Sequence, residues 1–226
     1  MNGPERELPS RIDTPLSIYN ALLMEAKVPD DAFAELKNVD LVGCKNASDD
    51  LVGVLEDQIT LDPEKCPKFS EFVEELAYEF LYLRSDFGLL RQIVKTFVTS
   101  GHRPILPEKL MKVKLKQLWL NSMGKGNYQP LHVHAGLFSF VVYVSIPYTL
   151  AEEHKLNYGV TDYKNKNGCT EFIDPFTHDS ITLPVETKLE QNIALFPSWI
   201  THTVYPFKSD VRRVTVSGNI YLDKLL

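Results

Sequence analysis

The chain has 226 residues but only three cysteines, Cys44, Cys66 and Cys169, which lie far apart in the sequence. An odd number of scattered cysteines argues against a disulfide framework and indicates a reducing compartment. The sequence also contains no Cys-x-x-Cys pair. A metal site built from thiolates is therefore not expected.

Long apolar runs, a secretory signal and basic clusters are also absent. No apolar run approaches the roughly 18 residues of a membrane-spanning helix. The start, Met-Asn-Gly-Pro-Glu-Arg-Glu, lacks the basic-then-apolar order of a secretory signal. The net charge is −6 and the lysines and arginines form no long run, which argues against nucleic-acid binding. We expect a cytoplasmic protein with neither a membrane nor a nucleic acid as a partner.

The composition, with 44% hydrophobic and 24% charged residues, is typical of a globular protein. The length suffices for a single compact domain with a sizeable core. Residues 1–12 are polar and predict a flexible N-terminus, residues 13–108 are expected to be mainly helical, and residues 109–226 to form a β-rich core. Apolar spacing and capping residues predict helices around 18–26, 30–37, 69–83 and 89–98.

Alternating apolar residues after position 107 predict strands. The strongest pattern runs from 137 to 146, with Phe138, Phe140 and Val142 on one face and Tyr143 on the other. The remaining predicted strands are 113–121, 171–173, 193–196 and 213–222. Helices followed by several short strands predict an α+β protein whose β part is a two-sheet jelly roll or barrel.

Three histidines form the candidate metal site. His132 and His134 are two residues apart, so that in a strand both side chains point to the same face. His202 follows a predicted strand and a turn some seventy residues later, and a jelly roll can bring such distant residues together. Imidazole nitrogens suit iron, zinc, copper or nickel. The other histidines, His102, His154 and His178, have no matched partners and are expected in surface or loop positions.

Arg213 begins a strand with one polar face, which also carries Thr215, Ser217, Asn219 and Tyr221. If that face is solvated, the arginine needs no explanation. If it lines the interior, Arg213 must bind an anion, because a buried unpaired charge is costly. A guanidinium with a hydroxyl two residues on, Thr215, would bind a substrate carboxylate well.

Several segments in order resemble a known family. They are Asn127–Gly136 (Asn-Tyr-Gln-Pro-Leu-His-Val-His-Ala-Gly), Val142–Pro147, Phe172–Pro175, Leu195–Ser198, His202–Val204 and Arg213–Asn219. This pattern is similar to the iron(II)- and 2-oxoglutarate-dependent oxygenases, and more narrowly to a phage and bacterial group of putative 2-oxoglutarate–Fe(II) oxygenases. The resemblance covers about residues 113–222.

The resemblance implies a double-stranded β-helix, a cupin-like jelly roll, with the helical N-terminal region packed on its sheet. It implies Fe(II) held by His132, His134 and His202, with no catalytic residue beyond these ligands. The co-substrate 2-oxoglutarate would place its far carboxylate on Arg213, helped by Thr215 and Tyr143. The implied reaction hydroxylates an unidentified substrate and releases succinate and carbon dioxide, in a bacterial or phage-infected cell. The superfamily usually has a carboxylate where this chain has His134.

Two other functions remain open on the sequence alone. A cupin-type metalloenzyme without 2-oxoglutarate fits Gly126 and Pro197, which precede the histidines at cupin-like spacing, but it gives no reason for Arg213. A non-catalytic jelly roll could bind carbohydrate or build a virion, with aromatic residues near the site as a binding platform. Those aromatic residues would be Tyr128, Trp199 and Tyr205. The substrate and the oligomeric state are not predicted.

Overall fold

The computed structural model describes residues 16–19, 23–42, 44–46, 53, 55, 57–83, 111–155, 165–175 and 177–225. The strands are β1 Leu16–Tyr19, β2 Leu23–Lys27, β3 Asp57–Leu61, β4 Met111–Met123, β5 Gln129–His132, β6 Phe138–Ser145, β7 Thr170–Ile173, β8 Ser180–Leu183, β9 Asn192–Pro197, β10 Thr201–Val204 and β11 Arg213–Leu225. The helices are α1 Asp30–Lys37, α2 Pro67–Leu83 and α3 Leu150–Lys155, with single 3-10 turns at Pro63–Lys65 and Thr187–Leu189. No helix in these ranges is both long enough and apolar enough to cross a membrane.

The strands form two antiparallel sheets. One has seven strands in the order β1-β2-β9-β6-β11-β4-β3, and the other has four in the order β5-β10-β7-β8. Side chains of both sheets meet in one buried cluster, in which the rings of Phe172 and Phe196 lie 4.9 Å apart. The predicted α+β class and double-stranded β-helix are therefore confirmed.

The period-two pattern of β6 explains how the large sheet is covered on both faces. Phe138 and Phe140 point towards α2, where they make edge-to-face contacts with Phe80 at 5.1 Å and Phe69 at 5.6 Å. Tyr143 points the other way, into the space between the sheets. The predicted helix at 69–83 and strand at 137–146 are both confirmed. Because α2 covers the outer face, the inner face is left to build a pocket.

The predicted helix around 18–26 is wrong. Strands β1 and β2 form a hairpin there, and β2 pairs with β9 inside the large sheet. Leu23 and Met24 are both fully buried, Leu23 in the cluster between the sheets and Met24 in the cluster under α2. A strand covered on both faces has consecutive apolar residues, and these can match helical spacing by chance.

The N-terminal region therefore contributes strands as well as helices. The hairpin β1–β2 extends the large sheet at one edge, and β3 extends it at the other. The helix predicted at 30–37 is present as α1, which begins after Pro29 with Asp30 and Asp31 in its first turn. The helix predicted at 89–98 lies outside the described residues.

Gly218 provides a test of the close packing of β11. A Cβ atom added there would lie 2.5 Å from the Gln117 carbonyl oxygen and 2.6 Å from Cζ of Phe140. We expect Gly218→Ala to lower the free energy of unfolding by about 3 kcal/mol, at the upper end of what overpacking costs. Urea unfolding monitored by circular dichroism measures it, and a change below about 0.5 kcal/mol, the size of an ordinary surface effect, would contradict this packing.

Candidate active site

His132 and His202 lie side by side on neighbouring strands. β5 and β10 are antiparallel, and the two histidines are direct cross-strand partners with ring centroids 4.1 Å apart. His134 lies beyond the end of β5, where its backbone N–H donates to the Ser198 carbonyl at 2.9 Å. Its ring centroid is 4.9 Å from that of His132 and 5.0 Å from that of His202. The sequence predicted that the pair shares a face, and the rings do converge although the strand itself ends at His132.

The three imidazoles present nitrogen atoms to a common point. One nitrogen from each ring lies within 4.8 Å of the others. Nδ1 of His132 lies 2.7 Å from the Pro130 carbonyl oxygen, and Nδ1 of His202 lies 3.1 Å from that of Ile200. Because a carbonyl only accepts, each Nδ1 carries the proton and Nε2 keeps a lone pair. Both rings are thus held in the tautomer that can bind a metal through Nε2.

Burial keeps these rings neutral. Desolvation lowers the pKa of His132, lowers that of His134 to about 4, and lowers that of His202 well below its ordinary value. Near neutral pH the three ligands therefore lose no proton when a cation binds. They also bring no negative charge to the ion.

The Arg213 guanidinium lies at another part of the same cavity and is only 1% exposed. Its Nη1 donates to the Tyr148 hydroxyl at 3.0 Å and to the Gly168 carbonyl at 3.3 Å. Its Nη2 lies 2.9 Å from the Met123 sulfur, and the Phe207 ring lies 5.2 Å from the guanidinium carbon. All of these partners are neutral. Within the described residues, the buried Nε atom has no hydrogen-bond partner.

Two hydroxyls accompany the guanidinium along the cavity. Tyr143 is 2% exposed, and although Thr170 lies beside it, its hydroxyl makes no well-formed hydrogen bond within the described part of the chain. Burial raises the Tyr143 pKa, so the phenol stays protonated and can donate. Thr215 is buried on the same face of β11 as Arg213.

One cavity between the two sheets joins these groups. All the residues predicted for the site line it: His132, His134, His202, Arg213, Thr215 and Tyr143. The polar face of β11 is therefore turned inwards, which was one of the two alternatives that the sequence left open. Among the described residues that line the cavity, Arg213 alone carries a permanent charge.

A hydrogen-bonded chain of side chains supports the polar face of β11. The Gln58 amide donates to Asn121 at 3.0 Å, and the Asn121 amide donates to Ser217 at 3.2 Å and lies 3.5 Å from Thr215. Because Thr215 accepts from Asn121, its own proton is available to a ligand in the cavity.

Some residues that line the cavity or contact its lining carried no signal that the sequence could offer. Asn121 and Trp119 lie opposite Thr215 and Ser217 in the register of β4 and β11, and only that register reveals them. Gln58 and Tyr148 come from distant parts of the chain. Of the remaining histidines, His154 lies in α3 and His178 precedes β8, neither lines the cavity, and His102 lies outside the described residues.

The proposed aromatic platform is only partly available. Tyr128 is 42% and Trp199 49% exposed. The Tyr205 hydroxyl, by contrast, donates to the Glu171 carboxylate at 2.6 Å. This tyrosine is therefore engaged by its own sheet.

Comparison with solved structures gives weak likenesses. A prolyl-4-hydroxylase from Pseudomonas putida is 13% identical, covers 89% of this chain and 93% of its own, and has a TM-score of 0.48. The viral collagen prolyl hydroxylase from Paramecium bursaria Chlorella virus-1 is 13% identical over 89% of this chain and 96% of its own, with a TM-score of 0.48. AviO1 from Streptomyces viridochromogenes is 14% identical over 90% of each chain, with a TM-score of 0.49. At this level of similarity they carry no argument about the function of this chain.

Comparison with protein families is more informative. No curated protein matches the chain. Residues 117–219, a little under half of the chain, match the family described as "Putative 2OG-Fe(II) oxygenase". The match spans every residue predicted for the site, and the cofactor and co-substrate of that family are Fe(II) and 2-oxoglutarate. The resemblance to the 2-oxoglutarate- and Fe(II)-dependent oxygenases inferred from the sequence is thereby confirmed.

Proposed function

We propose that the protein is an oxygenase that hydroxylates its substrate and converts 2-oxoglutarate to succinate and carbon dioxide. In this proposal His132, His134 and His202 hold the Fe(II) ion. Arg213, Thr215 and Tyr143 hold the far carboxylate of 2-oxoglutarate. One observation carries the proposal, namely that a buried guanidinium with no anionic partner among the described residues shares a cavity with three converging imidazoles.

The guanidinium has one edge in use and one edge available. Nη1 is engaged by Tyr148 and by the Gly168 carbonyl. On the opposite edge, Nε has no partner in the described structure and Nη2 touches only a thioether. Two parallel N–H groups on one edge match the two oxygens of a carboxylate. A buried charge left in this state is costly, so the pocket suits an anionic ligand.

The hydroxyl groups complete a carboxylate site. Tyr143 and Thr215 each have a proton to donate and no competing acceptor that the structure shows for it. A carboxylate bound to Arg213 would thus satisfy two buried atoms that have no hydrogen-bond partner in the described structure, Nε of Arg213 and the Tyr143 hydroxyl. The hydrogen-bond donors of this site all belong to the chain.

The ligand type and the charge of the metal site are compatible with Fe(II). Nitrogen ligands suit iron, although they also suit zinc, copper and nickel. The three neutral imidazoles leave the ion's charge uncompensated, and an anionic 2-oxo acid would compensate it. When bound, Fe(II) would activate dioxygen, and the oxidative decarboxylation of 2-oxoglutarate would supply two of the four electrons that dioxygen accepts, the other two coming from the C–H bond that is hydroxylated.

The two alternative functions each leave a feature of the site unexplained. A cupin that does not use 2-oxoglutarate gives no role to the buried Arg213, and a binding module gives none to the oriented histidines. The family match also favours the oxygenase.

Anaerobic spectroscopy separates the three functions. Fe(II) added to the metal-free protein, followed by 2-oxoglutarate, should produce a visible charge-transfer band, and admission of oxygen should then yield succinate. A protein that binds iron but shows no 2-oxoglutarate-dependent band would be a cupin-type metalloenzyme that does not use 2-oxoglutarate. A protein that binds neither would be a structural or binding module.

A further inference from the structure

We propose that Tyr148 is a positioning residue for the co-substrate, because it fixes which edge of the Arg213 guanidinium is offered to the carboxylate. The inference rests on the proposed function. Tyr148 lies outside the strands that carry the predicted site, in the connection between β6 and α3. It does not reach the reacting atoms and acts through Arg213.

The Tyr148 backbone is held from one side by a single residue. The backbone N–H of Thr187 donates to the Tyr148 carbonyl at 3.0 Å, and the Thr187 hydroxyl oxygen lies at the same distance from that carbonyl. The same hydroxyl lies 2.8 Å from the Ile146 carbonyl. The 3-10 turn at Thr187–Leu189 therefore anchors the connection that carries the tyrosine.

The Tyr148 ring is held by apolar contacts and by a close backbone approach. It stacks on Phe207 with centroids 5.0 Å apart and an interplanar angle of 24°. Gly168 has a φ of 74°, and a Cβ atom there would lie 3.1 Å from Cε2 of Tyr148 and 3.2 Å from its hydroxyl. A glycine suits both the positive φ and the narrow space. The hydroxyl is therefore placed by contacts that do not involve Arg213.

This placement determines the orientation of the guanidinium. The Tyr148 hydroxyl and the Gly168 carbonyl both accept from Nη1, while Phe207 contacts the guanidinium as well as the Tyr148 ring. With Nη1 fixed, the Nε and Nη2 edge stays open to a ligand. A guanidinium that is already immobilised loses less freedom when the carboxylate binds, so its affinity for the carboxylate is higher.

The test uses Tyr148→Phe, which keeps the stacked ring and removes only the hydroxyl. Dissociation constants are measured by anaerobic titration of the Fe(II)-loaded protein with 2-oxoglutarate and with 2-oxopentanoate. The second acid has a methyl group in place of the far carboxylate. We expect the constant for 2-oxoglutarate to rise about tenfold, the loss of one hydrogen bond to a charged group. The constant for 2-oxopentanoate should change less than about twofold, because it makes no contact that depends on Arg213.

Two further variants provide a control and a second test of the role of Tyr148. Tyr221→Phe is the matched control, since that hydroxyl binds Gln117 at 3.0 Å rather than Arg213, and it should leave both constants unchanged. Gly168→Ala should crowd the tyrosine and give the same selective loss for 2-oxoglutarate. Thermal unfolding of each variant reports whether the fold is intact.

The outcomes distinguish the two proposals. If Tyr148→Phe weakens both acids equally, the tyrosine is merely structural and the inference is overturned, while the proposed function stands. If it weakens neither, Arg213 needs no positioning and the inference is also overturned. If the wild-type protein fails to prefer 2-oxoglutarate to 2-oxopentanoate, the carboxylate site itself is wrong and both proposals fall.

Discussion

His202→Ala is expected to lower the affinity for Fe(II) by about 100-fold or more, because even the loss of an outer-shell partner commonly costs 10- to 100-fold. The ring is 95% buried, is oriented by the Ile200 carbonyl, and is the cross-strand partner of His132. No other described His, Cys, Asp or Glu side chain belongs to the group formed by the three histidines. Competition with a chromophoric chelator measures the affinity, and the 2-oxoglutarate-dependent band should disappear with the metal.

His178→Asn is the matched control for this variant. His178 precedes β8 with a φ of 62°, which asparagine tolerates, and it does not line the cavity. This variant should bind metal like the wild type. Wild-type affinity in His202→Ala, or an equal loss in both variants, would show that the three imidazoles do not form the metal site.

Arg213→Met is expected to raise the dissociation constant for 2-oxoglutarate by about 100-fold, since each hydrogen bond to a charged group contributes about 1.5–3 kcal/mol and two are lost. Methionine keeps much of the length of the side chain and removes the charge. Metal affinity should remain within a few-fold of the wild type, because the three histidines lie on other segments of the chain than β11. Anaerobic titration of the visible band gives the first quantity, and chelator competition gives the second.

Arg213→Met is also expected not to lower the stability of the ligand-free protein towards unfolding. In the part of the chain that the structure describes, the guanidinium of the ligand-free protein has only neutral partners and its buried Nε is unpaired. Replacing an uncompensated buried charge by an apolar side chain is often neutral or stabilising. Arg213→Met should therefore unfold at the same or higher urea concentration than the wild type without ligand. Arg212→Met, whose guanidinium binds the exposed Asp57, serves as the control.

Loss of metal binding in Arg213→Met, with co-substrate affinity preserved, would reverse the roles assigned to the two ends of the cavity. If Arg212→Met also loses affinity for both the metal and the co-substrate, the substitutions damage β11 in general.

The parts of the site that the sequence predicted are those encoded by local spacing. His132 and His134 are two residues apart, and Arg213 and Thr215 repeat with the period of a strand, so their shared faces follow from backbone geometry alone. The same rule places Tyr143 on the inner face of β6. The meeting of these segments with His202 depended on the family resemblance and on the jelly-roll expectation.

The parts that were missed depend on non-local pairing. The hairpin β1–β2 was predicted as a helix because a doubly covered strand and a helix both bury adjacent apolar residues. Gln58 enters the cavity only because β3 pairs with the edge of β4. Tyr148 reaches Arg213 only because Phe207 and Gly168, from two separate connections, place its ring.

An anaerobic crystal structure with Mn(II) and 2-oxoglutarate tests the central claim most directly. The account predicts one metal ion bound by His132, His134 and His202. It also predicts the far carboxylate of the co-substrate within about 3.2 Å, the usual hydrogen-bond limit, of Nε and Nη2 of Arg213. A metal bound away from any of the three imidazoles, or a carboxylate bound away from the guanidinium, would contradict it.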